Sequence, residues 1–168
     1  MKAKRVRDSS AVFSYLMLPQ DANPAGNVHG GVVMKHIDSA AGVVAARHAR
    51  SFVVTASIDR VDFHSPVYIG NLLTLKASVN IVGRTSMEVG VRVEAEDLRS
   101  GEVRHTASAY LTLVAMGQDG RPMVVPPLIM ETGEEKRRNR ESAARRKTRL
   151  AEKRREEECQ RDLESCEL

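Results

Sequence analysis

A turn-prone, glycine-bearing opening runs into a helical pattern that carries an aspartate in the stretch "NPAGNVHGGVVMKHIDSAAG", residues 23 to 42. Gly30 and Gly31 fall in the first turn of that helix, where backbone N–H groups lack intrahelical acceptors and the positive end of the helix dipole collects. Having no Cβ, they let another molecule approach the backbone closely. Such amides can hold a carbonyl oxygen as it becomes an oxyanion. Asn27, just ahead, carries the side chain of a good helix cap, whose oxygen accepts a free N–H. Asp38 lies about 120° from the centre of the helix's polar face, on its apolar flank. A buried carboxylate costs several kcal/mol unless it is paired or hydrogen-bonded, so something must compensate it. Two roles remain open: a structural carboxylate bonded to neighbouring backbone, or a base beside the small residues Ala41 and Gly42, which leave room for a carbonyl or a water.

Other groups are less specific. His29 sits within the same segment and can line a site or pack behind it. "FHSPVYIG" offers His64 and Ser65 in a loop stiffened by Pro66, which a hydrogen-bonded turn explains equally well. "VGRTS" supplies Arg84 with the hydroxyls of Thr85 and Ser86, suited to phosphates or to an ordinary hairpin. The five histidines, at 29, 36, 48, 64 and 105, form no H-x-x-x-H pair and have no cysteine near them. No metal is expected.

Ordinary elements must position these groups. "AVFSYLMLP" reads as a short strand closed by Pro19, and "QDANPAGN" as a loop. From Val28 to about His48 the helical period gathers Met34, Ile37, Ala41, Val44 and Ala45 on one side, with Lys35, Ser39 and Arg50 opposite. Four strand patterns follow. "FVVTASIDRVDFH" alternates imperfectly, with a bulge expected around Asp59 to Val61. "LLTLKASVNI" puts Leu73, Leu75, Ala77, Val79 and Ile81 on one face. "TSMEVGVRVEAE" does so with Met87, Val89, Val91, Val93 and Ala95, and "EVRHTASAYLTLVAM" with Val103, Ala107, Ala109, Leu111 and Leu113. Connections in the second half are too short for parallel crossovers. The fold class is therefore α+β, a largely antiparallel sheet against one long helix.

Composition supports a real core, with 42% hydrophobic residues, yet only 4% aromatics. No apolar run approaches the roughly 18 residues of a membrane span, and the basic amino terminus lacks a small-residue cleavage site, so a secretory signal is not expected. Both cysteines, Cys159 and Cys166, fall in the charged tail, which fits a reducing cytoplasm. Two segments are expected, 1–130 and 131–168. The second holds 12 Lys/Arg and 11 Asp/Glu against 14 and 11 in the first, so the formal +4 splits as +1 and +3. Opposite charges at helical spacing, such as Glu141/Arg145 and Glu157/Arg161, suggest a solvated or partly disordered helix. Nucleic-acid binding is not expected, because no aromatics interleave with the basic run from Arg145 to Arg155.

Four segments, "LPQDANPAGNVHGGVVMKHIDSAAG", "VDFHSPVYIGN", "VGRTSMEV" and "TASAYLTLVAM", occur in this order between about residues 10 and 130. Together they resemble the acyl-CoA thioesterases of the hotdog fold, in which a sheet wraps around one central helix. The resemblance implies an acyl-CoA hydrolase without a cofactor, coenzyme A being part of the substrate. It further implies a site shared across a dimer, where an asparagine of one protomer faces an aspartate of the other; carried over by position, these are Asn27 and Asp38. Helix rise would separate the two by about 16 Å within a chain, so the pair should meet only between chains. The implied roles are Gly31 as principal oxyanion donor, with Gly30 and His29 beside it. His64 and Ser65 would border the acyl-CoA tunnel, and Arg84, Thr85 and Ser86 would hold the pantetheine and nucleotide. A homodimer at minimum, and a trimer of dimers, follow from the same resemblance. Hotdog dehydratases pair a histidine with an acidic residue instead. A non-enzymatic acyl-CoA sensor whose basic tail binds nucleic acid is the alternative class, but it has no need of a buried base.

Overall fold

The computed structural model describes every residue except Arg60 and residues 162–168, where Cys166 and the end of the tail lie. Two compact units are present, Met1–Glu131 and a second beginning at Thr132. In chain order the elements are β1 (Lys4–Arg5), β2 (Ala11–Leu16), α1 (Gly30–Ala49), β3 (Phe52–Ile58), β4 (Asp62–Phe63), β5 (Asn71–Val82), β6 (Ser86–Asp97), β7 (Val103–Met116), β8 (Leu128–Ile129) and α2 (Gly133–Arg161). The main sheet has the order β2-β5-β6-β7-β3, with β4 also paired to β7. All of its pairings are antiparallel. β1 and β8 form a separate parallel pair.

Period-2 alternation on the long strands meets the helical period of α1, and that produces the core. Leu73, Leu75, Ala77 and Val79 of β5, Met87 to Ala95 at alternate positions of β6, and Ala107 to Leu113 of β7 are buried against Val33, Ile37, Ala40, Ala41, Val44 and Ala45 of α1. Small residues dominate the helix side of the contact, so its backbone can lie close to the sheet. Truncating a buried Leu such as Leu111 to Ala belongs with the class of core changes that costs about 2–5 kcal/mol.

The details depart from expectation in several places. Helix α1 begins at Gly30 rather than Val28, because His29 caps it. The bulge in β3 falls between Thr55 and Ser57, ahead of the expected Asp59–Val61. Ala56 is the extra residue, and the slip leaves Thr55 and Ala56 both exposed. Val103 is not inward but 57% exposed; a register shift at Val93/Glu94, opposite His105, breaks the alternation there. Ala41 belongs to the core, so only Gly42 leaves space on the flank of Asp38.

Strand β3 is an outer edge of the sheet. Phe52, Val54 and Ile58 on it are exposed, Phe52 at 79%. A free apolar edge is a template for pairing with another strand. In the second unit, α2 shows the ion pairs Arg137–Glu141 (2.6 Å), Arg138–Glu134 and Lys153–Glu157 (3.8 Å). No helix among the described residues is long and apolar enough to cross a membrane.

Candidate active site

The loop ahead of α1 is tied down by its own backbone. Asn23 N–H donates to the Asn27 carbonyl at 2.6 Å, while the Asn23 side-chain oxygen accepts from Ala25 N at 2.9 Å and Asn27 N at 3.2 Å. That is a side-chain turn of the kind asparagine makes readily. Val28 N–H then donates to Val67 O and His29 N–H to Asp21 O, both at 2.8 Å. An isolated bridge joins Asn27 to Tyr68. The loop therefore rides on the turn that leads into β5.

Asn27 does not cap the helix. His29 does so through Nδ1, which accepts from Gly31 N–H at 2.9 Å. The neutral ring must then carry its proton on Nε2. Gly31 N–H is thus already engaged, whereas Gly30 N–H has no acceptor among the described residues. A Cβ on Gly31 would stand 2.9 Å from His29 Nδ1, so the glycine is needed for this cap. The half-buried carboxamide of Asn27 makes no hydrogen bond among the described residues.

Asp38 lies two turns further along α1 and is half-buried. Its Oδ1 accepts a hydrogen bond from Thr55 Oγ1 at 2.6 Å, supplied by the bulged region of β3. The bond is exposed and the carboxylate only half-buried, so within one chain Asp38 does not meet the burial expected on the apolar flank. Oδ2 has no partner among the described residues. Gly42, one turn on, has nothing within 4 Å of where its Cβ would be. The result is a carboxylate held by one oxygen, one helical turn from the open space at Gly42. Thr55 gave no sign in the sequence, since a threonine in a strand pattern is ordinary; only the packing of β3 on α1 reveals it.

His64 joins the loop region. Its N–H donates to Thr106 O at 2.8 Å, and its ring lies 5.5 Å from that of His105, centre to centre. Phe63, just before it, has its ring 3.8 Å from where a Cβ of Gly30 would be. Ser65 follows, half-buried. His36 stacks on Tyr15 at 4.0 Å; burial, then the charge of Lys35, lowers its pKa. By contrast, Arg84, Thr85 and Ser86 sit at the opposite end of the sheet. Ser86 pairs with Val114 near the start of β3, whereas the glycine loop bonds next to the start of β5. The length of β5, at about 3.3 Å per residue, puts roughly 35 Å between them within one chain. Among the described residues, no three His, Cys, Asp or Glu side chains gather closely enough to hold a metal.

One long helix cradled by an antiparallel sheet, with one free amide at its start and a carboxylate on its flank, is the arrangement of a hotdog-fold thioesterase. The profile of the Thioesterase superfamily matches residues 25–102. The mouse (Mus musculus) cytosolic acyl coenzyme A thioester hydrolase is 40% identical over 132 residues, which are 77% of this chain and 35% of the mouse protein. The chain thus spans about a third of the length of the mouse and rat relatives. A hexameric acyl-CoA thioesterase, solved in its apo form, is 41% identical with a TM-score of 0.88, covering 90% of this chain and 97% of its own. An acyl-CoA hydrolase of Staphylococcus aureus, solved with butyryl coenzyme A, coenzyme A and coenzyme A disulfide, is 32% identical with a TM-score of 0.88, over 97% and 99% of the two chains. Three alanine variants of that hydrolase are also solved. They replace an asparagine, an aspartate fifteen positions on, and a threonine seventeen positions beyond that. The chain belongs to the acyl-CoA thioester hydrolases of the thioesterase superfamily.

Proposed function

We propose that this chain hydrolyses acyl-CoA to a free fatty acid and coenzyme A at a site built around Asp38. One observation carries this: the Asp38 carboxylate, anchored by Thr55 at 2.6 Å beside the open flank at Gly42. Asp38 and Thr55 stand at the same interval as the aspartate and threonine altered in the S. aureus hydrolase. Eight helical residues, about 12 Å, separate Gly30 from Asp38 in one chain. The thioester carbonyl that Asp38 serves therefore lies against the start of the partner's α1, where the partner's Gly30 N–H is free to donate and the partner's Gly31 N–H joins it once its imidazole cap swings away. Asp38, through its free oxygen, takes a proton from water as the water oxygen bonds to the carbonyl carbon. The tetrahedral oxyanion then collapses, the C–S bond breaks, and the thiolate of coenzyme A leaves with the proton that Asp38 had taken. The thiol and the carboxylic acid are the products. No step calls on a metal or a separate cofactor.

The asparagine of the site is drawn between two candidates. Asn27 follows from the family resemblance, and its amide has no partner within the chain. Asn23 stands fifteen positions before Asp38, the interval seen in the S. aureus variants. Because its side-chain oxygen is already held by two turn amides, its NH2 group is fixed in direction and can donate. We favour the partner's Asn23 as the group that polarises the carbonyl or orients the water. An exposed apolar edge on β3 supports a homodimer, and the hexameric relative supports a trimer of dimers. Each dimer then has two equivalent sites. In such an assembly Arg84, Thr85 and Ser86 reach coenzyme A from a neighbouring protomer, while His64 and Ser65 border the tunnel beside the glycine loop. The name of the mouse relative supports a cytosolic setting. A panel of acyl-CoA substrates from short to long, followed by thiol release, tests the activity; a purified, folded chain that releases no thiol from any of them overturns it.

A further inference from the structure

Helix α2 separates its charges by face. At about 100° per residue, an arc covering a third of its circumference holds seven basic residues and one acidic, Glu158, while the other two thirds hold five basic and six acidic. The ion pairs of Arg138 with Glu134, Arg137 with Glu141 and Lys153 with Glu157 draw on the mixed arc or its border. Lys136, Arg140, Lys147, Arg154 and Arg155, all on the basic arc, are exposed and make no ion pair among the described residues. Between them on that arc lie Arg137, at its border, and the small residues Ala143, Ala144 and Ala151. The sequence alone reads as a nearly neutral solvated tail; the helix converts it into a cationic stripe about 28 Å long.

We propose that this stripe docks the protein on an anionic lipid surface. A straight row of cations meets a planar sheet of phosphate and carboxylate headgroups along its whole length. The stripe has no aromatic residue to stack on the bases of a single strand. Alanines on the arc cannot insert into the acyl region as an amphipathic anchor does. Attraction is therefore electrostatic, acting within a Debye length of about 8 Å at physiological salt, and it is sharply salt-dependent.

Co-sedimentation of the full chain with phosphatidylcholine vesicles, with and without about one third phosphatidylserine, tests this independently of any hydrolysis. Binding is expected only to the anionic vesicles, and about 0.5 M NaCl should abolish it. Two double variants isolate the face: Lys147→Gln/Arg154→Gln removes two charges from the stripe, and Arg146→Gln/Lys153→Gln removes two from positions one residue earlier. The first is expected to weaken binding at least fivefold and the second less than twofold. Equal losses in the two would mean that net charge, not the stripe, matters, and would overturn the proposal. So would an absence of binding to anionic vesicles, or tighter binding to a duplex oligonucleotide than to those vesicles.

Discussion

The two ends of α1 are finished in opposite ways. At its carboxyl end the carbonyls are closed off: Lys4 Nζ donates to Arg47 O at 3.1 Å and His48 O at 2.6 Å, Arg50 N–H returns to Ala46 O, and the buried His48 ring bonds Pro126 O at 2.9 Å. Arg50 even takes a left-handed φ of 57° to end the helix, a conformation usually left to glycine. At the amino end one donor is free, another is held only by the exposed His29 imidazole, and Asn23, Asn27, Gly30 and Gly31 lie in or next to the first turn. A fold that satisfies one end so thoroughly has the means to satisfy the other. On the function proposed above, the open amino half of α1, with Asp38, is the part given over to chemistry, and the closed carboxyl half the part that holds the unit together.

The largest effect should come from Asp38. Asp38→Asn keeps the size of the side chain and still accepts from Thr55, so melting should stay within a few degrees, while thiol release falls about a hundredfold or more as a general base is lost. If turnover per folded molecule survived and melting fell instead, Asp38 would belong to the structural half of the comparison. Next in size are the asparagines. Asn23→Asp retains the oxygen that accepts the two turn amides but deletes the NH2 group, and turnover should drop at least tenfold with the loop intact. Asn27→Ala should cost less; the reverse ranking would return the role to Asn27. Mixing Asp38→Asn protomers with protomers of the damaging asparagine variant should restore one intact site per heterodimer, which a site confined to one chain would not do.

At the closed end, stability should change and turnover should not. His48→Leu leaves the Pro126 carbonyl without its donor, a loss of about 1–3 kcal/mol measured by chemical denaturation. His48 also gives the wild type a pH dependence. Burial lowers its pKa below the usual histidine value of 6.5, only partly opposed by the bond to Pro126, and Nδ1 is buried without a partner. The unfolded chain therefore binds a proton before the folded one does. This contribution to stability is complete above about pH 6.5, declines as the pH falls below it, and levels off once the folded-state value is passed. His36, lowered by burial and Lys35, acts in the same direction. His48→Leu should flatten the decline without abolishing it.

What the sequence disclosed follows the same division. Regular periods disclosed the sheet, the helix and the position of Asp38, because burial imposes its pattern on residues close together in the chain. Thr55 stayed hidden because its role comes from β3 packing on α1, and from a bulge that the alternation located a few residues too late. A helix beginning at Val28 would have Asn27 as its cap; because the helix begins at Gly30 with His29 as its cap, Asn27 has no capping function. Val103 looked inward because a period-2 pattern cannot show a register shift made by a neighbouring strand.

The smallest expected effect tests whether the two ends are independent. Lys4→Met removes the ammonium from the last carbonyls of α1 and retains most of the aliphatic stem, so about 1 kcal/mol or less should be lost. The β1–β8 pair should persist, since its backbone bond from Lys4 N–H to Pro127 O does not use the side chain. Turnover should be unchanged, because a helix packed by Ile37, Ala40, Ala41 and Val44 holds Asp38 in place without help from its final turn. A fall in turnover with no fall in stability would mean that the closed end sets the position of Asp38 through the helix axis. The contrast between the two ends would then be one of coupling rather than of separate duties.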